Sequence, residues 1–325
     1  MSGNLDLKAW FGLTSSVKKP IFTVICPVNN EEVTVPLFFQ RVEAVFRGLS
    51  DRYRCQLLFV DNCSKDSTQK IIVELSKQHP WVSLLAMSRN FGYQCSLEAG
   101  LRTATGDVFA FVDVDCEDPP EMFVDFLKHY EDGFDIVYGE RVDREEAYLL
   151  KLARKLFYRG TRAVADDFFV LDMAEFSLFS SEVREAILKD NNSFPFIRAS
   201  IGRVGYRLRN IPYKRHPRIA GKTHYNFLRM AIFAVAGILS SSTMLLRAPA
   251  YLFPFWFLGL VATFTAYQWT DQGLWLHVMI LLGFLYCGFT LMGIALYSAR
   301  TYKNVLNRPN YHIDRKATRL QLLET

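Results

Sequence analysis

Short apolar runs alternate with amphipathic segments through the first half of the chain. Each run stops at a proline, a glycine or a polar cluster, so each is predicted as a buried strand: residues 21–26, 56–60, 81–87, 108–112 and 134–138. The segments between them, and one after them, are predicted helices: residues 31–49, 67–78, 93–103, 119–130 and 145–164. Strands that alternate with helices at this spacing predict an α/β domain with a mostly parallel sheet.

The pattern loosens after about residue 165. Residues 172–179 are predicted as a loop or a short strand, 182–190 as a helix and 204–213 as a strand. The first 20 residues lack the continuous apolar core of a signal peptide and are predicted as a frayed arm. Contact of the apolar residues of this arm with a membrane surface is the alternative.

Two long apolar runs lie near the C-terminus, at residues 250–270 and 274–299. Each exceeds the ~20 residues that cross a bilayer, and Trp256, Trp269 and Trp275 lie near the expected ends of the spans or within them. We expect a two-span hairpin that turns at residues 271–273. Buried helices of a soluble protein are the alternative.

Residues 230–246 are apolar and uncharged but short. If they crossed the bilayer, Arg247 and the basic C-terminal residues would lie outside, against the positive-inside rule. We therefore predict an interfacial helix, and a location in the cytoplasmic (inner) membrane with the α/β domain and both termini in the cytoplasm. The predicted divisions are an N-terminal arm 1–20, an α/β domain 21–224, a juxtamembrane helix 225–248, a hairpin 249–300 and a tail 301–325.

Charge is concentrated in one stretch. The formal net charge is +5, yet residues 191–270 contain no Asp or Glu. Basic residues crowd the first half of this stretch: Arg198, Arg203, Arg207, Arg209, Lys214, Arg215, Arg218, Lys222 and Arg229. Such a block binds anions. Nucleic acid is a poor fit, because the stretch adjoins membrane helices and contains no recognition module. Six cysteines without paired spacing favour a reducing compartment.

The predicted strand 108–112 ends in a cluster of carboxylates, at residues 113–121 (DVDCEDPPE). Ligands of open α/β sheets bind outside the carboxyl ends of the strands. Asp113 and Asp115 stand two residues apart and share a face, and Glu117 extends the row. Hard oxygen ligands of this kind suit Mg²⁺ or Mn²⁺. A solvated acidic turn explains the same residues.

Five motifs in this order resemble a known family. Residues 27–32 (PVNNEE) resemble P-x-x-N-E-E, residues 61–66 (DNCSKD) resemble D-D-G-S-x-D, and residues 89–92 (RNFG) resemble R-N-x-G. Residues 113–121 resemble D-x-D-L-Q-D-P-P-E, and residues 218–225 (RIAGKTHY) resemble R-x-x-G-x-S/T-K-Y/F. Together they are similar to the polyprenyl-phosphate glycosyltransferases of glycosyltransferase family 2, over about residues 21–309.

The resemblance implies a GT-A fold and a divalent metal, Mg²⁺ or Mn²⁺. It implies transfer of one sugar from a nucleotide-sugar donor to a polyprenyl phosphate, with inversion at the anomeric carbon. Expected partners are therefore the donor, the polyprenyl phosphate and membrane lipids. A homo-oligomer, a tetramer by resemblance, and a downstream flippase are further expectations, and nucleic acid is not expected.

The resemblance also implies roles for individual residues. The nucleotide-sugar site is expected to contain Pro27, Glu31, Asp61 and Asp113, with Arg89 as either a donor contact or a structural loop arginine. The metal ligands are expected to be Asp115 and Glu117, and the acceptor phosphate ligands Arg215, Arg218 and Lys222. Glu175 is the expected catalytic carboxylate, with Asp172 as its alternative and Arg218 as the main phosphate-binding catalytic group.

Several residues depart from the family pattern. Glu117 replaces a glutamine, Glu175 an aspartate, Ser177 an arginine and His224 a lysine. These changes are compatible with a different sugar or nucleotide, with a compensating arginine such as Arg162 or Arg203, or with reduced activity. A degenerate membrane scaffold is thus the non-enzyme alternative. A processive polysaccharide synthase is a weaker one, because the chain lacks Q-x-x-R-W and further spans.

Overall fold

A seven-stranded sheet forms the centre of the computed structural model, which describes residues 18–142, 173–190, 195–217, 243–270 and 273–323. The strands are β1 (Ile21–Val28), β2 (Arg54–Asp61), β3 (Val82–Ala86), β4 (Val108–Phe111), β5 (Ile136–Val142), β6 (Met173–Ser180) and β7 (Leu208–Lys214). The helices are α1 (Thr34–Leu49), α2 (Thr68–Gln78), α3 (Tyr93–Thr103), α4 (Phe123–Glu131), α5 (Ser181–Leu188), α6 (Ile197–Arg203), α7 (Met244–Thr270) and α8 (Gly273–Leu306).

The strand order is β3-β2-β1-β4-β6-β5-β7. Strands β1 to β4 pair in parallel, as do β5 and β7, whereas β6 is antiparallel to both of its neighbours. The prediction of an α/β domain with a mostly parallel sheet is confirmed, and this is the arrangement that the GT-A resemblance implies. The carboxyl ends of β1, β2 and β4 lie side by side, which brings the loops after them to one edge of the sheet.

Both faces of the sheet are covered. All eight residues of β1 are buried, as expected for a parallel strand between two helical layers. Phe22 and Val24 belong to one buried cluster, with side chains of α1 and α4, and Ile25 belongs to the other, with side chains of α3, α5 and α6. Two hydrophobic layers therefore fix the sheet and its carboxyl edge.

Helix α3 packs unusually close to the sheet at Gly100. A Cβ atom there would overlap Ile25 Cγ2 and lie 2.9 Å from Val60 Cγ2. Helix α3 follows Gly92, whose φ of +93° favours glycine. Two glycines thus determine where α3 begins and how near it lies to β1 and β2.

Two long apolar helices follow the sheet domain. Helix α7 has 27 residues and α8 has 34, and both contain a segment apolar enough to cross a membrane. Their apolar side chains are mostly exposed, for example Phe255 and Phe284, so they are not core helices of the sheet domain. Trp256 and Tyr286 stack at 4.3 Å and join the two helices. The prediction of two apolar C-terminal helices is confirmed.

Residues 308–323, which we call the C-terminal tail, return from α8 to the sheet. Bridges between Leu84 and Arg319 and between Met87 and Ile313 place the tail antiparallel to β3. Strand β3 is one of the two edge strands of the sheet, the other being β7. The tail therefore covers backbone groups of β3 that an edge strand otherwise exposes. The sequence analysis assigned no structure to this segment.

Several predicted elements differ from the observed ones. In the segment 172–179, predicted as a loop or short strand, residues 173–179 belong to β6, which is an interior strand of the sheet. Helix α6 was missed, since seven residues are too few to show a period, and the strand predicted at 204–213 begins at Leu208. The helix predicted at 119–130 opens as a 3-10 turn, Pro120–Met122. Helix α7 begins within the predicted juxtamembrane segment 225–248. The helix predicted at 145–164 lies outside the described residues.

Candidate functional site

The loops after β1 and β2 are joined by hydrogen bonds. The backbone N–H of Asn30 donates to Ser64 Oγ over 2.9 Å, and Lys65 N donates to Asn30 Oδ1 over 2.7 Å. Glu31 N donates to Thr68 Oγ1 over 2.8 Å. Segments 27–32 and 61–66, which the sequence predicted to face a nucleotide, therefore form one surface.

The predicted nucleotide residues lie on or beside this surface. Pro27 is buried near the end of β1, in register with Val60, while Val28 pairs with Asp61. The Asp61 carboxylate accepts bonds from the backbone and side chain of Ser64. Burial raises the pKa of Asp61 above its ordinary value, and the bonds from Ser64 oppose this. The Asp61 carboxyl group is thus buried just beneath the surface that the two loops form.

The acidic segment after β4 lies beside these loops. Burial raises the pKa of the Cys26 thiol, and the charges of Asp113, Asp115 and Glu31 raise it further. Cys26 is in β1, so the three carboxylates lie near the carboxyl end of that strand. Tyr93 Oη donates to Asp113 Oδ1 over 2.7 Å. Burial and then repulsion from Asp115 raise the pKa of Asp113 to about 7.

Each of the three loops at this edge contains a non-glycine residue with positive φ. The φ angles are 57° at Asn30, 60° at Cys63 and 54° at Cys116. Non-glycine residues in this region are uncommon and gather where a loop geometry is held by its surroundings. The motif resemblance expects glycine at position 63, and the left-handed backbone of Cys63 explains why.

The two predicted metal ligands are close together and already have polar partners. Asp115 Oδ1 accepts the Glu117 N–H over 3.1 Å. The Glu117 carboxylate forms an ion pair with Arg215, and Glu117 O accepts His216 N–H over 3.0 Å. Within the described ranges, no group of three or more His, Cys, Asp or Glu is arranged to hold a metal ion. Arg215, predicted as an acceptor ligand, therefore neutralises a predicted metal ligand.

Asp118 anchors the acidic segment to the far strands. Its carboxylate accepts Arg141 Nη2 over 2.9 Å and the hydroxyl of Tyr213. Arg141 Nε also donates to Tyr213 Oη over 3.1 Å. The sequence analysis did not select Arg141. Arg141 could have been selected from its position near the carboxyl end of the predicted strand 134–138, because ligands of α/β sheets bind outside the carboxyl ends of the strands.

Glu175 faces the site from β6, and its carboxylate is fixed by two donors. Gln94 Nε2 lies 2.9 Å and Arg198 Nη2 lies 3.1 Å from Glu175 Oε1. The charge of Glu175 also contributes to the raised pKa of Asp113, after larger effects, so both carboxylates belong to one site. Ser177 is two residues along β6 and buried. The structure thus places Arg198 beside the catalytic candidate.

Of the two compensating arginines proposed from the sequence, Arg162 lies outside the described residues and Arg203 lies away from Glu175. Arg203 pairs with Asp190 at 3.0 Å, not with Glu175. Arg198, from the same helix α6, is the arginine that pairs with Glu175, at 3.1 Å. No local signal distinguished these two arginines in the basic stretch, because only packing of α6 against the Glu175 face of the sheet selects one of them.

Arg89 lies at the start of the loop before α3. Its guanidinium is 4.2 Å from the Phe91 ring centroid, and no described carboxylate forms an ion pair with it. The loop is held by Asn62, whose Oδ1 accepts Phe91 N–H over 2.9 Å and whose Nδ2 donates to Asn90 Oδ1 over 3.1 Å. This 89–92 loop is therefore connected to the surface formed by segments 27–32 and 61–66, which we call the nucleotide-side surface.

Three predicted site residues lie outside the described residues: Asp172, Arg218 and Lys222. The same is true of Arg162 and His224. The structure brings the carboxylates of Asp113, Asp115 and Glu117 near two further predicted site residues, Glu175 and Arg215. The roles assigned to all of these residues, and to those in the segment 218–242, stay predictions.

Comparisons with known proteins agree with the motifs. Residues 23–188 match the family model described as glycosyl transferase family 2. The chain is 27% identical over 310 residues to the uncharacterized glycosyltransferase YkcC of Bacillus subtilis, covering 90% of this chain and 93% of that protein. It is 30% identical over 311 residues to a prophage bactoprenol glucosyl transferase homolog of Escherichia coli, covering 90% and 98%.

Among solved structures, the mannosyltransferase PcManGT of Pyrobaculum calidifontis, in complex with GDP-Man and Mn²⁺, matches with a TM-score of 0.44 and 20% identity. That match covers 90% of this chain and 89% of the other. The curated relatives also match over nine-tenths of this chain, so the similarity extends beyond the region of the family model.

Proposed function

Because this chain belongs to glycosyltransferase family 2, we propose that it transfers a single sugar from a nucleotide-sugar donor to a polyprenyl phosphate at a membrane surface. The observation that carries the proposal is the meeting of three motif loops, 27–32, 61–66 and 113–121, at one sheet edge with Glu175 beside them. Relatives named for bactoprenol support the lipid acceptor.

The donor would lie on the surface formed by the first two loops. Pro27, Glu31 and Asp61 are proposed to contact the nucleoside, and Asp113 the ribose or the diphosphate. Hydrogen bonds between the two loops support this, because they make one surface of the two segments at the carboxyl edge. Arg89 remains a proposed donor contact, since its guanidinium packs on Phe91 and pairs with no described acid.

Asp115 and Glu117 fit a divalent cation that the donor phosphates complete. Mg²⁺ is commonly held by one or two carboxylates plus substrate phosphates, so a site without a third protein ligand suits it or Mn²⁺. A bound ion of this kind would neutralise the charge that develops on the leaving nucleoside diphosphate. Burial is the main cause of the raised pKa of Asp113, and repulsion from Asp115 raises it further. A cation beside this loop would relieve that repulsion.

The acceptor phosphate needs little deprotonation. A phosphate monoester has a second pKa of about 6, so an acceptor oxygen carries charge at neutral pH. That oxygen would attack the anomeric carbon from the face opposite the diphosphate. The bond to the diphosphate breaks, its electron pair leaves with the nucleoside diphosphate, and the configuration inverts. Glu175, held by Gln94 and Arg198, would orient the acceptor and take its remaining proton.

Basic residues are proposed to bind the acceptor phosphate. Arg215 has a partly exposed guanidinium beside Glu117, and a guanidinium binds phosphate oxygens in a bidentate manner. Arg218 and Lys222 follow in the chain and complete the proposed set, with Arg218 as the main catalytic cation. Asp172 remains the alternative to Glu175.

The two apolar helices are proposed to cross the cytoplasmic membrane as a hairpin. Arg247 lies near the start of α7, and Arg300 and Lys303 lie near the end of α8. Both ends of the hairpin are therefore basic, which favours the cytoplasmic side for both. A homo-oligomer and a flippase that carries the product across the membrane complete the proposal.

A catalytically degraded scaffold is the second candidate. Ser177 motivates it, because this position lacks the arginine of the family motif. Arg198 weakens it, because a guanidinium lies 3.1 Å from Glu175 in this structure.

One assay separates the two functions. Purified protein in lipid nanodiscs is incubated with Mn²⁺, a panel of labelled nucleotide sugars and either undecaprenyl phosphate or undecaprenol, and the lipid extract is analysed by mass spectrometry. We expect one donor to give a lipid-linked monosaccharide with the phosphate and none with the alcohol. No product from any donor would overturn the transferase in favour of the scaffold, and long glycans would favour a polysaccharide synthase.

A further inference from the structure

The C-terminal tail runs along strand β3 from the carboxyl ends of the strands to their amino ends, and its two halves make different contacts. Its later half contacts the amino end of the sheet, where Gln321 N donates to Ser83 Oγ and Leu323 N donates to Gln56 Oε1, both over 2.8 Å. Its earlier half reaches the carboxyl end, where Ser88 N donates to His312 O over 2.9 Å. The earlier half therefore lies near the carboxyl ends of the strands, where the candidate site is.

The earlier half contacts the loop that precedes α3. The His312 and Phe91 rings are 6.1 Å apart, and Tyr311 packs against the same buried cluster as Phe91 and Tyr93. Phe91 N–H in turn donates to Asn62 Oδ1. One connected series of contacts thus runs from the tail through the 89–92 loop to the nucleotide-side surface.

The earlier half also holds α3 itself. Asn310 Nδ2 donates to Glu98 Oε2 over 2.9 Å, and the two residues are 212 positions apart. The first turn of α3 supplies Tyr93, which donates to Asp113, and Gln94, which donates to Glu175. Gln94 also accepts Ile197 N–H over 3.2 Å through Oε1. The position of α3 therefore sets the orientation of two site carboxylates.

We propose that residues 310–314 of the tail are a positioning element of the donor site. They hold the 89–92 loop and the start of α3 against β3, so the donor surface is complete only when the tail is docked. The tail continues directly from α8, so docking links the apolar helices to the donor site. This inference rests on the proposed function only in assigning a nucleotide to that surface.

If the tail only protected the exposed edge of β3, deletions in the tail would give a different result from the one that a positioning role predicts. Edge coverage depends on the length of backbone that pairs with β3, and removal of either half would lower stability alike. A positioning role belongs to the earlier half only. The two halves can therefore be compared within one chain.

Two deletions make that comparison. Deletion of residues 321–325 removes the later contacts, and deletion of 310–325 removes both sets while α7 and α8 stay intact. UDP and GDP binding with Mn²⁺ is measured by calorimetry, and amide hydrogen exchange is measured over residues 88–98. We expect the short deletion to leave nucleotide affinity and hydrogen exchange over residues 88–98 unchanged. We expect the long deletion to weaken binding about tenfold, as for the loss of one or two polar contacts, and to speed exchange at Phe91 and in the first turn of α3.

A synthetic peptide of residues 308–325, added to the long deletion, is expected to restore both readouts. If the long deletion fails to fold, the double variant Asn310→Ala with His312→Ala replaces it. Arg319→Ala is the control, because its side chain bonds only tail carbonyls among the described residues. Unchanged exchange over residues 88–98 would overturn the inference. Failure of the full chain to bind any nucleoside diphosphate would overturn the proposed function instead, and the exchange result would still decide the role of the tail.

Discussion

Arg198 Nη2 lies 3.1 Å from Glu175 Oε1, in an ion pair whose carboxylate is only 12% exposed. The pair joins α6 to β6 on the face of the sheet that Gln94 also contacts. Position 177, where the family motif has an arginine, is a buried serine on the same face. A cation thus lies beside Glu175 although β6 has none at position 177, and it comes from α6, 23 positions after Glu175 in the sequence.

Replacement of Arg198 by Gln is expected to lower kcat about 10- to 100-fold, because Glu175 loses the charged one of the two donors that orient it. The affinity for the nucleotide should change little, since no described donor-side loop contacts Arg198. Steady-state kinetics and nucleotide binding check both parts. Arg203→Gln is the matched control, because Arg203 pairs with Asp190 instead. Equal losses in the two variants would contradict a specific role, whereas partial retention in Arg198→Lys would support one.

Arg215 and a divalent cation compete for Glu117 in this account. Arg215→Gln removes one positive charge beside the proposed metal ligand. We expect Mn²⁺ to bind about threefold more tightly in the presence of a nucleoside diphosphate, a modest gain because the pair is partly exposed to solvent. The KM for polyprenyl phosphate should rise in the same variant. Electron paramagnetic resonance titration measures the free Mn²⁺.

Lys214→Gln removes the same charge from the neighbouring residue and is the control for Arg215. Lys214 is the last residue of β7 and is exposed. If both variants change Mn²⁺ affinity equally, general electrostatics explains the result and the competition at Glu117 is wrong.

Cys63 adopts a backbone that glycine favours, with φ of 60°. Cys63→Gly is expected to raise the free energy of unfolding by about 1 kcal/mol, since an L-residue in this region costs about 1–2 kcal/mol. Thermal unfolding in detergent measures the change. Cys63→Ala keeps the Cβ atom and should give no such gain, so stabilisation by alanine would contradict the backbone explanation.

Gly100→Ala is expected to destabilise the protein by about 1–3 kcal/mol, because the new methyl group would overlap Ile25 in a packed core. Nucleotide binding should weaken as well, since α3 would move together with Tyr93 and Gln94. Thermal unfolding and calorimetry measure the two effects. Gly48→Ala is the control: Gly48 is in α1 with no atom near its missing Cβ, and alanine there should stabilise slightly.

The sequence predicted the sheet and its acidic edge because both depend on local pattern. The buried parts of β1 and β2 are mostly apolar, for example residues 57–60 of β2, and Asp113 follows a similar run after β4. The position of Glu175 was found only through the motif resemblance, because its strand was read as a loop or a short strand. Family membership confirms the resemblance, while the assigned roles of individual residues stay predictions.

The missed features depend on contacts between distant residues. Nothing near Arg198 distinguishes it from Arg203, and only the packing of α6 brings one of them to Glu175. Asn310 and Glu98 are likewise neighbours only because the tail returns to the sheet. A propensity-based prediction sees neither contact, since side chains from separate elements meet only after the chain has folded.

Transfer of labelled sugar into extracted lipid, compared for the native chain and Asp115→Ala in the same nanodiscs, tests the central claim most directly. The native chain should convert polyprenyl phosphate into a lipid-linked monosaccharide in the presence of Mn²⁺. Asp115→Ala should fold normally and lose at least about 100-fold in rate, because charge on the leaving diphosphate is no longer stabilised. Equal rates in the two chains would contradict the assignment of residues 113–121 as the donor and metal site.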